Sequence, residues 1–341
     1  MTDKTKLGYT CAISAQLIWG LFPIYVDQLK GYDAFGFVAH RAFWSFLLLA
    51  VLFWSAKRWR SSYLPSYDEF ASALKNQDPV EGGDSSASSS NKIWKNKKIW
   101  LFAVAAILLC INWIAFVWSA IHDHKIDASL GYYICPQVVV LLGVLLLGER
   151  LKPIQWVGFA LTACGVAYMV QSSASMPQLS LLIAFSFAFY ALAKKKTKMS
   201  ALAGLTFEMG FLAVPGLLYL AWQCGYLGLP TGVDPAAPQL TLFTTSWWMN
   251  LLLLGSGVAT LLPLALYATA VKHIPLSTVG LLQFIGPTIQ FLIGLFLYQE
   301  AFDRSRFIGF VVVWMGVGLY LISIRQSKDV AVSKDAATTQ E

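Results

Sequence analysis

Charged residues are scarce in this chain. Asp, Glu, Lys and Arg together make up 13% of its 341 residues, whereas 57% are hydrophobic and the mean hydropathy is +0.60. Soluble domains carry about 25% charged and about 45–50% apolar residues, so this composition excludes a soluble protein. The apolar runs are about 20 residues long rather than alternating stretches of about 10, which favours spanning helices over a β-barrel. The sequence therefore predicts an all-α integral membrane protein.

Several signatures of catalysis and cofactor binding are also missing. The five cysteines stand singly, which is not the pattern of a disulfide framework or a cysteine metal site. No Walker-type phosphate loop, His-Glu-x-x-His or Gly-x-Ser-x-Gly motif occurs. The His122, Asp123, His124 triplet has no matching partner cluster elsewhere. We therefore expect no enzyme activity, no cofactor, no metal and no direct use of ATP.

Ten apolar segments are long enough to cross a bilayer. The predicted spans are 7–27, 34–56, 99–121, 127–147, 153–171, 177–193, 201–222, 247–270, 276–298 and 304–324. Between the second and third spans, an inner loop at about 57–98 contains a Gly-, Ser- and Asp-rich stretch. Such a composition predicts disorder in this loop.

The basic residues indicate how these spans are oriented. With the N-terminus placed inside, Arg41 lies within a span, and of the 25 lysines and arginines only four are outside: Lys30, Lys125, Arg304 and Arg306. The others gather in inner segments, as at residues 194–196. This asymmetry predicts that both termini are cytoplasmic. The net charge of +7 then reflects topology and contact with the lipid bilayer, and we expect no nucleic-acid partner.

The chain repeats itself at a spacing of 151 residues. Five residues of the first half recur in the second, as Pro136, Gly143, Glu149, Gly158, Gly165 and Pro287, Gly294, Glu300, Gly309, Gly316. Internal repeats of spanning units are typical of secondary transporters. Five spans per half is an odd number, so the second half enters the membrane from the opposite side. The sequence predicts ten transmembrane helices as two inverted five-helix repeats, at 1–172 and 173–326, with a cytoplasmic tail at 327–341.

Because one chain carries both repeats, a monomer is sufficient for the predicted function, and a homodimer is left open.

Two charged residues lie within predicted spans, where a charge costs about 2.5–3.5 kcal/mol on insertion scales. Arg41 in the second span and Glu208 in the seventh occupy mirrored positions of the two halves. In one interpretation they line a central cavity, directly paired or bridged by water, with His40 beside Arg41 and a coupling proton at Glu208. In the other, Arg41 extends to the outer interface and Glu208 hydrogen-bonds a neighbouring helix.

Uncharged polar residues cluster around the two central prolines, Pro136 and Pro287, which we expect to interrupt their helices. The candidates for the substrate pathway are Asn112, Tyr132, Gln137, Gln283 and Gln290. Polar groups at equivalent, proline-interrupted positions predict a binding site for a small molecule. The alternative is interhelical hydrogen bonding, worth about 0.6 kcal/mol per bond. Trp19, Trp113 and Trp118 lie deep in spans, where they serve either stacking or packing.

Glu149 and Glu300 close the fourth and ninth predicted spans. A negative charge at a helix C-terminus opposes the helix dipole, so each requires donors. Arg150 and Lys152 follow the first glutamate, and Arg304 and Arg306 follow the second. The two glutamates are predicted to act as gates or as architectural clamps.

The order of several motifs is specific enough to suggest a family. These include Trp19–Pro23, Ala39–Arg41, Asn112–Trp113, Gly148–Leu151, Leu205–Glu208 and Leu281–Thr288. In them the chain resembles the RarD proteins of the EamA group, within the drug/metabolite transporter superfamily. The resemblance implies ten helices in the bacterial inner membrane and transport of small organic solutes, usually outward. The family label is tied to chloramphenicol sensitivity.

We therefore expect a secondary transporter, an exporter of a small organic metabolite or drug whose identity is unknown, working by alternating access. The alternative is a non-transporting membrane protein that alters drug sensitivity indirectly.

Overall fold

A computed structural model describes residues 3–28, 33–59, 97–121, 125–171, 177–197, 201–227, 246–299 and 304–338. Within these ranges the backbone forms eleven helices and no strand. They are α1 (Asp3–Asp27), α2 (Ala34–Trp59), α3 (Lys97–Ile121), α4 (Lys125–Leu147), α5 (Pro153–Gln171), α6 (Pro177–Lys196), α7 (Ala201–Gln223), α8 (Trp247–His273), α9 (Leu276–Leu282), α10 (Ile285–Phe296) and α11 (Arg304–Thr338).

Each predicted span coincides with a helix, except that the ninth is divided between α9 and α10. Eight helical stretches of the described ranges are long and apolar enough to cross a membrane; α6 is not among them, and the apolar part of α11 is confined to Phe307–Ser323. The protein is thus an all-α, multi-pass membrane protein, and the count of ten spans stays a prediction. The segment 327–338, predicted as a tail, continues α11. Most of the predicted 57–98 loop lies outside the described residues.

The outer surface of the helix assembly is apolar. Large hydrophobic side chains such as Trp54, Leu145 and Phe296 are at least 70% exposed. A soluble monomer rarely exposes contiguous apolar patches of more than a few hundred Å². This surface is suited to lipid, while the interior is filled by aromatic and aliphatic residues such as Tyr190 and Leu109.

The helices pack mainly across the two halves of the chain rather than within them. α1 packs on α8 and α10, α2 on α7 and α8, α3 on α6 and α7, α4 on α6 and α9, and α5 on α11. The predicted repeat matches α1 to α5 with α6, α7, α8, α9–α10 and α11, in that order. Under this matching the set of helix pairs maps onto itself. The two halves are therefore interleaved in a reciprocal way.

The contact between α5 and α11 depends on four repeated glycines. A Cβ added at Gly158 would lie 2.7 Å from the carbonyl oxygen of Gly316, and one at Gly165 would lie 2.7 Å from that of Gly309. Rising numbers on α5 meet falling numbers on α11, so the two helices are antiparallel. Each glycine pair is the image of the other under the 151-residue shift. Small residues are what such close backbone approach requires.

Glu149 fastens the corner between α4 and α5 to the start of α9. Its Oε1 accepts a hydrogen bond from the backbone N–H of Leu276 at 2.6 Å, and its Oε2 accepts one from Ser277 at 2.8 Å. The first N–H groups of a helix lack intrahelical partners and carry partial positive charge. Backbone amides of the other half are thus donors to Glu149, and a contribution from Arg150 or Lys152 stays a prediction. Glu300 lies outside the described residues.

Glu149→Ala is expected to lower the free energy of unfolding by about 1 kcal/mol, because the first two amides of α9 lose their acceptors. Glu149→Gln keeps one acceptor oxygen and should lose less. Thermal unfolding in detergent measures both. Arg150→Gln, at an exposed neighbour, is the control and should leave the melting temperature unchanged. A larger loss in the arginine variant would show that side-chain pairing holds this corner.

Candidate functional site

A cavity of about 70 Å³ lies among α1, α2, α3, α4, α6 and the junction of α9 with α10. Both halves of the chain contribute to its wall. The lining residues are Gln16, Trp19, Phe22, Arg41, Asn112, Trp113, Phe116, Tyr132, Cys135, Phe187, Gln283, Gly286, Pro287 and Gln290.

Five of the residues proposed from sequence for the substrate pathway reach this cavity: Arg41, Asn112, Tyr132, Gln283 and Gln290. Pro287 lines it as well. The remaining candidates, His40, Gln137, Glu208 and Pro136, are not among its lining residues. The sequence thus indicated most of the polar part of the wall and half of its aromatic part; Phe22, Phe116 and Phe187 were not singled out as site residues.

Arg41 is buried, with 4% of its surface exposed, and its guanidinium lies among aromatic rings. The guanidinium carbon is 4.4 Å from the ring centroid of Trp113 and 4.8 Å from that of Phe22. Its Nε donates a hydrogen bond to Oγ1 of Thr260 at 2.9 Å. A cation over aromatic faces is stabilised by their quadrupoles, by about 2 kcal/mol or more when desolvated. This contact offsets part of the cost of burying the charge.

The amide side chains of the wall are oriented by bonds to the protein. Asn112 Nδ2 donates to the carbonyl oxygen of Ile183 at 2.9 Å. Gln283 Nε2 donates to the hydroxyl of Tyr267 at 2.7 Å. Gln290 Nε2 donates to a backbone carbonyl of α1 at 3.1 Å. These bonds fix the orientation of the amides. Because a primary amide has two N–H donors and one carbonyl oxygen, the wall can offer a bound molecule both acceptors and donors.

The backbone departs from regular helix beside the cavity. α9 ends at Leu282, α10 begins at Ile285, and Gln283 and Phe284 form the turn between them. Pro287 has no N–H to donate to the carbonyl of Gln283, which is consistent with an interruption there. The break expected at Pro136 is absent, because α4 runs through that residue without interruption. One missing hydrogen bond is tolerated when neighbouring helices pack against the freed carbonyl.

Arg41 and Glu208 do not form the pair left open by the sequence. Glu208, fully buried on α7, accepts a hydrogen bond from Lys194 Nζ of α6 at 2.8 Å and one from the hydroxyl of Tyr190 at 3.2 Å. Lys194 was predicted from the sequence to belong to the inner basic cluster, but its side chain is only 2% exposed and is buried between helices. This correction favours the interpretation in which Glu208 bonds a neighbouring helix.

His40 is completely buried on α2, next to Arg41 in sequence. Its Nδ1 accepts a hydrogen bond from the indole N–H of Trp44 at 3.2 Å, one helical turn along. The imidazole is thus held within α2 beside the cavity wall, and its substrate role stays a prediction.

Gln137 is a buried polar side chain on α4. Neither its Nε2 nor its Oε1 has a hydrogen-bond partner in the described part of the chain. Gln137→Leu is expected to raise the free energy of unfolding by about 1–3 kcal/mol, because an unsatisfied amide is replaced by an apolar group of similar size. The melting temperature measures this. A lower melting temperature would mean that the amide has a partner in the folded protein.

Sequence reasoning missed several residues of the site. Gln16 and Phe187 line the cavity, and Lys194 completes the buried pair. Gln16 could have been found as a polar residue within an apolar run. Phe187 gave no signal, because an aromatic residue in a spanning segment is ordinarily packing. Among the described residues no cluster of three His, Cys, Asp or Glu side chains is positioned to hold a metal ion; the triplet at 122–124 lies outside them.

Comparison with known proteins agrees with the motifs. The profile of the EamA-like transporter family matches residues 79–171. A relative from Vibrio cholerae serotype O1, named "Uncharacterized transporter", is 36% identical over 94% of this chain and 93% of its own length. Protein RarD of Escherichia coli (strain K12) is 31% identical, covering 94% of this chain and 95% of that protein. This chain belongs to the RarD/EamA transporter family.

The RarD/EamA fold is also found in a solved structure. One solved crystal structure superposes on this chain with a TM-score of 0.62. The superposition covers 93% of this chain and 98% of the other. The sequence identity is 15%, so this likeness concerns the fold alone. The family membership makes the protein a membrane transporter by descent, and the cavity is the candidate solute site in this RarD/EamA chain.

Proposed function

We propose that this protein is a secondary transporter that exports a small organic solute across the bacterial inner membrane by alternating access. The observation that carries the proposal is the cavity shared by both halves, with amide side chains and a single arginine in an aromatic wall. A packing core would be apolar, whereas this wall carries polar groups that can fix the orientation of a solute. Relatives labelled as transporters support the same conclusion.

We further propose ten spanning helices arranged as two inverted five-helix repeats, with both termini in the cytoplasm. The reciprocal pairing of helices across the halves supports this arrangement, as does the antiparallel pairing of repeated glycines on α5 and α11. Two copies related by an axis in the membrane plane can exchange conformations, which opens the shared cavity to one side and then to the other.

The test is solute release from liposomes containing the purified protein. The liposomes are loaded with a low-molecular-mass extract of bacterial cytosol, and the solutes released are identified by mass spectrometry. Selective release of one class, above protein-free liposomes, is the expected result. Gln290→Ala, which alters the cavity wall, should slow that release, whereas Arg150→Gln at the surface should not. Inverted and right-side-out membrane vesicles then give the direction.

Absence of release by folded, monodisperse protein would overturn the proposal. The remaining explanation would be a membrane protein that changes drug sensitivity indirectly.

A further inference from the structure

The wall of the cavity carries one charge. Of its lining residues only Arg41 is ionised at neutral pH, and the others are amides, aromatic rings and small groups. No carboxylate of the described residues lies within ion-pair distance of this guanidinium, since Glu208 pairs with Lys194. The site therefore has an uncompensated positive charge in a largely apolar wall.

The guanidinium is positioned but not saturated. Its Nε is used by Thr260, and its plane lies near the rings of Trp113 and Phe22. A guanidinium has five N–H donors in a fixed fork that matches a carboxylate in bidentate geometry. The Nη groups have no acceptor within the described parts of the chain. The protein thus holds the arginine in place while leaving the fork to a bound anion.

Three of the remaining polar groups are amides, which can accept as well as donate. Asn112, Gln283 and Gln290 each donate at least one N–H to a protein oxygen, which fixes the orientation of the amide. Their carbonyl oxygens suit a ligand that has a neutral donor such as a hydroxyl. A ligand ammonium would find no carboxylate in this wall and would face the positive charge of Arg41. Net charge therefore disfavours cations strongly and zwitterions moderately.

Aromatic rings form much of the rest of the wall. Trp19 and Phe187 have ring centroids 5.6 Å apart in an edge-to-face arrangement, and both line the cavity. Rings of this kind bind flat apolar groups by stacking and edge contacts. The wall accordingly combines an anion fork, hydrogen-bond acceptors and an aromatic surface.

We propose that the cavity binds a small organic monoanion, whose carboxylate is held by Arg41, whose hydroxyl or similar neutral donor faces the amide oxygens, and whose flat apolar body lies among the rings. This substrate class rests on the proposed function, because it takes the cavity to be the solute site. It deepens that function by giving the charge and shape of the solute.

The experiment uses three probes that share a phenyl group on a short carbon chain and differ in charge: phenyllactate (anion), phenylalanine (zwitterion) and phenethylamine (cation). Binding to the purified full-length protein is measured by tryptophan fluorescence, since Trp113 lies against Arg41, and by calorimetry. Phenyllactate is expected to bind at least about tenfold more tightly than phenylalanine, with no measurable binding of phenethylamine. Equal or tighter binding of either amine, or no binding of phenyllactate, would overturn the proposal.

Variants test the assignment to Arg41. Arg41→Gln should abolish phenyllactate binding, and Arg41→Lys should retain it weakly, because a lysine keeps the charge but loses the bidentate fork. Arg150→Gln removes the same charge at the exposed surface and should leave the affinity unchanged. If Arg41→Gln does not fold, Arg41→Lys provides the test. An unchanged phenyllactate affinity in Arg41→Lys would contradict a role for the bidentate guanidinium.

The two proposals fail separately. If phenyllactate binds but no solute is released from the protein-containing liposomes, the anion site is supported and the transport function is contradicted. If liposomes release only cations or neutral solutes, the transport function stands and the monoanion class falls.

Discussion

Glu208→Gln is expected to destabilise the protein by about 3–5 kcal/mol, because it leaves the buried ammonium of Lys194 without a counter-charge. The two groups are 2.8 Å apart and at most 2% exposed, so water cannot replace the missing partner. Lys194→Met should cost a comparable amount, since it leaves a buried carboxylate with only the Tyr190 hydroxyl. Thermal unfolding and urea titration in detergent measure both losses.

The double variant Lys194→Met with Glu208→Leu distinguishes the net stability contributed by the ion pair from the cost of leaving one buried charge without its partner. Removing both charges eliminates the unpaired group, so the double variant should recover most of the lost stability. Asp3→Asn is the control, because the Asp3–Lys6 pair is exposed and spans 3.8 Å, and exposed pairs contribute little. Losses that simply add in the double variant would contradict direct coupling between Lys194 and Glu208.

Gly316→Leu is expected to cost about 3 kcal/mol or more by overpacking the contact between α5 and α11. A Cβ at this position would lie 2.5 Å from the carbonyl oxygen of Gly158 and 2.8 Å from the backbone nitrogen of Thr162. These are backbone atoms of a regular helix, which cannot move aside as a side-chain tip can. The helices must therefore separate along their whole line of contact.

Gly318→Leu is the matched control, two residues further along the same helix. A Cβ there has no neighbour within 4 Å, so the same substitution should leave the melting temperature nearly unchanged. Size-exclusion profiles and thermal unfolding in detergent compare the two variants. A tolerated leucine at Gly316 would mean that α5 and α11 are further apart in the protein than the glycine contacts require.

The helices were predictable from sequence because an apolar run of about 20 residues has few alternatives in lipid. The seven-residue spacing of the repeated glycines is also visible in the sequence, and such a spacing places two residues on the same face of a helix. It could not name Gly316 as the partner of Gly158, since that depends on how two helices cross. The local sequence determines which helix face carries small residues, and the tertiary arrangement determines which residues pack against that face.

The site was less predictable, for a physical reason that Lys194 illustrates. It begins a run of three lysines, which by composition indicates a solvated helix end. Only the rotation of α6 against α7 turns that one lysine inward onto Glu208. Arg41 is similar, because its fixing partner Thr260 lies 219 residues away on α8. The partner of a buried charged residue lies on another helix, so it cannot be identified from the spacing of residues in the sequence.

The interleaving of helices also bears on how the chain is made. α1 ends at Asp27, and its partner α8 begins only at Trp247. At roughly 5–20 residues per second, synthesis of the intervening chain takes on the order of 10–40 s. During that interval the early helices are in the membrane without the later helices against which they finally pack. Their insertion has to be stable helix by helix, and the assembled structure arises only late, once the last third of the polypeptide has left the ribosome.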